Sequence, residues 1–243
     1  MAISVDTVYQ RVLGILNKEQ RGYVTPQEFN LFANQAQLDL FEQYFYDINQ
    51  FGRVPGNDTE YSDMLTLLNE KINIFETAAQ PTRPGSYFEE PANLYRLGSV
   101  VYKNTTTNSF GVVSTESIEA ERINANEFLY INSSPLTKPK NVRPAFVSNS
   151  SGIRVYGNSE ITDPTEVEFQ YIKKPAKVEW KYQMVFGEAL YDSTYSVDFE
   201  LHPSEEVELV IKILELSGIL IRDLSIYQVM NSEEQETIQQ EKA

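Results

Sequence analysis

The sequence contains no cysteine and one histidine. Without cysteine there is no disulfide framework and no thiolate metal site. The lone histidine, His202, has no further nitrogen or sulfur ligand to share a metal with, and it stands directly before Pro203. A local capping or packing role is expected for it. Positive charge is also scarce: 20 lysines and arginines face 35 aspartates and glutamates, for a net charge of −15. Such a surface does not attract a polyanion, which argues against sequence-specific nucleic-acid binding. It is compatible with DNA sliding past without sticking. Long apolar runs are missing too. The most apolar stretch, near 207–221, is interrupted by Glu208, Lys212 and Glu215 and is no membrane span. Met1-Ala2-Ile3-Ser4 lacks the basic and apolar regions of a signal peptide, so none is expected. Nucleophile-elbow, Walker A, dinucleotide-fingerprint and EF-hand spacings are all absent. Glu89-Glu90 and Glu205-Glu206 are adjacent pairs whose side chains point apart, so neither makes a catalytic dyad. A pair of hydrolase carboxylates converges in space rather than in sequence, and sequence alone does not address it. The expectation is a non-enzyme with no catalytic residue, metal or cofactor.

What the chain does have is a strong helix at residues 26–51. Thr25 is suited to the N-cap, Pro26 to the first helical position and Glu28 to the return bond of a capping box. Phe29, Phe32, Ala33, Ala36, Leu40, Tyr44 and Ile48 follow helical spacing. Phe41 and Phe45 widen this stripe beyond what one partner surface needs. They are candidates for contact with a neighbouring copy, against the plainer reading of a central core helix. Residues 5–16 predict an earlier helix on Val5, Val8, Tyr9, Val12 and Leu16, with Ser4 as cap. Asp58 opens a third, carrying Tyr61, Met64, Leu65, Leu68 and Ile72.

The character changes near Glu76, where Pro81, Pro84, Gly85 and Pro91 punctuate the chain. Strand-like runs follow at 95–102, 111–114, 145–148, 153–156 and 167–173, with a short helix near 117–128. A hairpin-like pair is expected over 178–185 and 189–201, turning at Phe186-Gly187-Glu188. A helix then opens at Pro203 or Ser204, with early glutamates suited to its dipole. It carries two apolar stripes: Val207, Val210, Leu214 and Ile221, and Leu209, Ile213, Leu216 and Leu220. The fold class expected is α+β. N-terminal helices and a C-terminal helix form a bundle, with an antiparallel β domain inserted between them. The expected divisions are 1–75 helical, 76–175 β, 176–230 hairpin and C-terminal helix, and 231–243 a polar tail.

Lys138, Lys140 and Arg143 form the densest basic cluster. A solvated face is the plain reading. The functional one is electrostatic pairing between the β domain of one copy and the acidic helices of another.

Gly22-Tyr23-Val24-Thr25-Pro26-Gln27-Glu28-Phe29-Asn30, with Ala33-Asn34-Gln35-Ala36, resembles the opening of virion structural proteins of podovirus-like tailed phages, the crAss-like phages in particular. Arg143-Pro144, the run Phe169-Gln170-Tyr171-Ile172-Lys173-Lys174-Pro175, and Trp180 are similar to their middle. Phe199-Glu200-Leu201-His202-Pro203-Ser204-Glu205-Glu206 is similar to their end. The ordered set covers most of the chain. The resemblance implies a head-to-tail connector of the adaptor or tail-tubular ring type. It implies a homo-oligomeric ring, usually a dodecamer, below the portal protein. The next tail or ring protein would be a partner, and DNA would pass the lumen without specific binding. It further implies residence in the virion neck after assembly in the host cytoplasm, with no membrane partner. A C-terminal segment reaching a neighbour brings Tyr227 and Met230 into the expected protein interface, beside Phe41, Phe45, Lys138, Lys140 and Arg143. The alternative is a binding module that recognises a glycan or host surface through its β domain.

Overall fold

The computed structural model describes residues 3–18, 24–51, 59–107, 113–186, 188–220 and Ser232. In chain order the elements are helices α1 (Val5–Lys18), α2 (Pro26–Phe51) and α3 (Thr59–Asn73), then strands β1 (Glu76–Ala79), β2 (Leu94–Thr107), β3 (Val113–Glu119) and β4 (Glu121–Arg122). Helix α4 (Ala125–Ser133) is followed by β5 (Ala145–Asn149), β6 (Gly152–Tyr156), β7 (Glu160–Ile161) and β8 (Val167–Lys173). The strands β9 (Tyr182–Val185) and β10 (Glu188–Tyr191) precede α5 (Glu206–Leu220). The protein is thus mixed α and β. Its chain divides into two compact units, one of residues 1–74 and 175–243, the other of residues 75–174.

In the first unit α2 packs on α5 and α3, and α1 on α5. The capping box forms as its residue types dictate. The Thr25 amide donates to Glu28 Oε2 at 2.9 Å, and the Glu28 amide donates to Thr25 Oγ1 at 3.3 Å. These bonds hold the Glu28 carboxyl below its ordinary value. Val5, Val8, Tyr9, Val12 and Leu16 are buried on one face of α1. On α5 the buried face is Leu209, Val210, Ile213, Leu214 and Ser217, while Val207 is exposed. The two stripes expected there are one contiguous face. Buried Glu205, ahead of α5, pairs with Lys71 of α3 at 2.6 Å.

The width of the α2 stripe has a specific cause. Asn30, Asn34 and Gln37 form a row beside the apolar face and bind an extended segment through its backbone. Asn34 accepts from the Val178 amide at 3.0 Å and donates to the Val178 carbonyl at 2.8 Å. Asn30 does the same for Trp180, at 2.8 and 3.2 Å. Gln37 donates to the Ala176 carbonyl at 2.8 Å and accepts from the Glu200 amide at 3.2 Å. One helical turn rises about 5.4 Å, and alternate residues of a strand lie about 6.6 Å apart. The two spacings are close enough for amides a turn apart to serve residues 176, 178 and 180 in sequence. The helix therefore supplies what a neighbouring strand would.

The second unit holds two four-stranded sheets, ordered β1-β8-β2-β3 and β4-β5-β6-β7. Pairing is antiparallel except for the short parallel match of β4 with β5. Phe88, Val100, Phe146, Ile153, Val167 and Phe169 are among the buried residues of its core. Gly152 has φ +128°, and a Cβ there would overlap the Phe88 carbonyl oxygen. Only glycine closes that turn. The helix expected near 117–128 lies later, at Ala125–Ser133, because Ser117 and Glu119 are held in register against Lys103 and Val101 of β2. β1 carries no strand signal of its own. It is a strand because β8 offers an edge for it to pair with.

Candidate functional site

The extended segment held by α2 ends at Trp180, whose ring is 3% exposed. Its indole N–H donates to Asp6 of α1 at 3.0 Å, and Tyr9 packs on it at 4.5 Å between centroids. On its other side Tyr182 and Tyr191, the first residue of β9 and the last of β10, stack at 5.7 and 5.8 Å. A two-stranded hairpin is marginal by itself. Here its base is fixed to a buried ring. A cavity of about 610 Å³ opens beside this anchor, lined by Tyr9, Leu13, Pro26, Tyr182 and Met184 among others.

Pairing runs from Tyr182 opposite Tyr191 to Val185 opposite Glu188. It is shorter than the arms expected from sequence. Beyond Tyr191 the chain turns, because Asp192 accepts from the Thr194 amide at 3.0 Å and from Gln183 Nε2 at 2.6 Å. The Gln183 bond first, then the Thr194 amide, holds the Asp192 carboxyl below its ordinary value. The tip carries Met184, Val185 and Phe186, with Leu190 nearby, all exposed. Phe186 is fully exposed and has φ +53°.

The second unit has its own apolar surface. None of the nine residues of α4 is buried. Phe128 stacks on Tyr156 at 4.1 Å, which anchors the helix, while Leu129 and Tyr130 face outward. The chain then wraps the helix end: Thr137 Oγ1 donates to the Ile131 carbonyl at 3.0 Å, and the Lys138 amide to that of Ser134 at 3.0 Å. Leu136 in this turn is 92% exposed. Lys140 and Arg143 exchange two backbone hydrogen bonds across a tight turn that exposes Val142. A cavity of about 440 Å³ lies near Arg143, lined also by Glu119, Glu121, Arg122 and Phe146.

The residues singled out from sequence fall in different places. Phe41 is fully buried, so it offers no surface to a second copy, and the over-wide stripe is satisfied inside the chain. Phe45 is half-buried and meets Phe41 edge-on at 5.1 Å. Lys138, Lys140 and Arg143 do lie together on one exposed turn region. Arg143 is paired with Glu121 of its own unit at 2.9 Å. Tyr227, Met230 and the polar tail lie outside the described residues. His202 caps the turn before α5, its Nδ1 accepting from the Ser204 amide at 3.2 Å. Among the described residues no group of three His, Asp or Glu side chains is placed to hold a metal ion.

Sequence reasoning missed the apolar tip and the outward face of α4. The signals were there: Met-Val-Phe at a turn that normally takes Gly, Asn or Asp, and Phe-Leu-Tyr-Ile in a helix too short to bury all four. No described helix is long and apolar enough to cross a membrane. No protein-family model matches the chain, and no curated protein matches it either.

Proposed function

We propose that this chain is a structural subunit of a phage head-to-tail connector, which closes with copies of itself into a ring around the DNA channel. One observation carries the reading. Each unit keeps clustered apolar side chains outside its core: Met184, Phe186 and Leu190 on the hairpin, and Leu129, Tyr130 and Leu136 around α4. Single exposed apolar residues are ordinary, whereas clusters mark contact surfaces. A subunit with two unlike contact surfaces associates head to tail, and such contacts make a ring when the rotation closes.

In this reading α1, α2, α3 and α5 form the protomer's helical bundle, and residues 75–174 are a β domain inserted into it. The portal protein and the next ring are the partners above and below. The net charge of −15 favours passage of DNA phosphates without retention. The role is mechanical, with no reaction catalysed. Quantitative mass spectrometry of purified phage particles carrying this chain tests the proposal. About a dozen copies per particle are expected, as for one closed ring. Absence from the particles overturns it.

A further inference from the structure

Resting on the ring reading, we propose that the β9–β10 tip of one copy docks on the α4 surface of the next, with Phe186 and Met184 against Leu129, Tyr130 and Leu136. The first support is the tip itself. A bulky aromatic with φ near +53° is a backbone outlier, and here the ring it carries touches nothing in its own chain, being fully exposed. Strain held at a position with no internal packing reward points to a contact outside the chain. The second support is the receiving surface. A nine-residue helix with no buried residue is shorter than the roughly 12 residues an isolated helix needs to persist in water. Phe128 is its main ring anchor, and a covering partner supplies the packing it lacks.

Charge selects the occupant. From Tyr182 to Asp198 the chain has carboxylates and no lysine or arginine. From Ser134 to Arg143 it has Lys138, Lys140 and Arg143 and no carboxylate. Lys138 and Lys140 have no ion-pair partner among the described residues. Apolar surface thus meets apolar surface with opposite charges at the margin, and both halves are carried by one sequence. A second copy of this chain is therefore the partner that fits. The basic turn faces a hairpin in this arrangement, where sequence alone suggested an acidic helix.

The absence of native cysteine makes a direct test possible. Phe186→Cys and Leu136→Cys variants of the full chain are mixed under mild oxidation, at concentrations where sedimentation shows the wild type associated. Both positions are exposed, so folding is expected to be unchanged, and circular dichroism checks it. The mixed 186–136 disulfide should form roughly a hundredfold faster than either self-pairing, because contact raises the effective concentration. Lys138→Glu with Lys140→Glu should slow it severalfold. Preferential 186–186 pairing, no pairing in associated protein, or a chain that stays monomeric each overturns the contact. The copy number in particles tests the ring independently, so a ring present without this disulfide condemns the docking alone.

Discussion

Asn34 holds more of the first unit together than its half-buried, polar character suggests. Its amide satisfies both backbone groups of Val178, at 3.0 and 2.8 Å. Asn34→Ala leaves a donor and an acceptor without partners, each costing about 1–3 kcal/mol where water is poorly placed to replace them. A loss of about 2–4 kcal/mol in urea unfolding is expected. Gln35→Ala, one position along and exposed, is expected to cost under about 0.5 kcal/mol. Equal effects at the two positions would remove the backbone-binding role. Trp180 is the sole tryptophan, so its fluorescence follows this clamp without interference. The sequence displayed Asn30, Asn34 and Gln37 at one-turn spacing, but not their purpose. A row of amides on a helix reads as solvent-facing until a strand is known to lie against it. Phe41 misled in the opposite sense: its position off the main stripe suggested an outer contact, whereas the helix is packed on more than one side.

At the level of elements, capping chemistry and apolar periodicity were legible because each acts within a few residues. The Thr25–Glu28 box, the buried face of α1 and the cap at His202 all stand where local rules place them. The strands were legible in number more than in extent. β1 exists through its partner β8, and the hairpin ends where Asp192 diverts the backbone. That aspartate gives the hairpin an acid sensitivity. Its carboxyl is held below the ordinary 3.8, first by the Gln183 amide. The ionised form is therefore the one the fold favours. Its contribution is fully present above that value and disappears as pH falls through the lower folded one. Asp192→Asn should be less stable than wild type at neutral pH, with the difference closing in acid. Thermal unfolding followed by Trp180 fluorescence at a series of pH values reads this directly. A difference that stays constant down to about pH 2 would show that Asp192 is not held by these bonds.

For the whole molecule, the division at residues 75 and 174 has a checkable content. The β unit has its own core, from Phe88 through Tyr171. Its two ends are neighbours: β1 pairs with β8, and the Lys173 amide donates to the Phe75 carbonyl at 2.8 Å. A segment of this length buries enough surface to fold alone. Residues 75–174 expressed by themselves should give a β-type circular dichroism spectrum and one cooperative thermal transition, and Gly152→Ala in that segment should lower its midpoint. A coil-like spectrum from the unsubstituted segment would mean that the unit depends on the rest of the chain. The division was legible as a change of composition near Glu76. The adjacency of the two ends was not, since it depends on a register that spans most of the unit.

That adjacency also sets how force passes through the chain. Pulling the second unit away from the first loads two backbones at once, one at 74–75 and one at 174–175, side by side and joined by the β1–β8 ladder. Tension divides between two covalent cables, where a terminal appendage would hang from one, and a twisting load meets a couple where a single linker would act as a swivel.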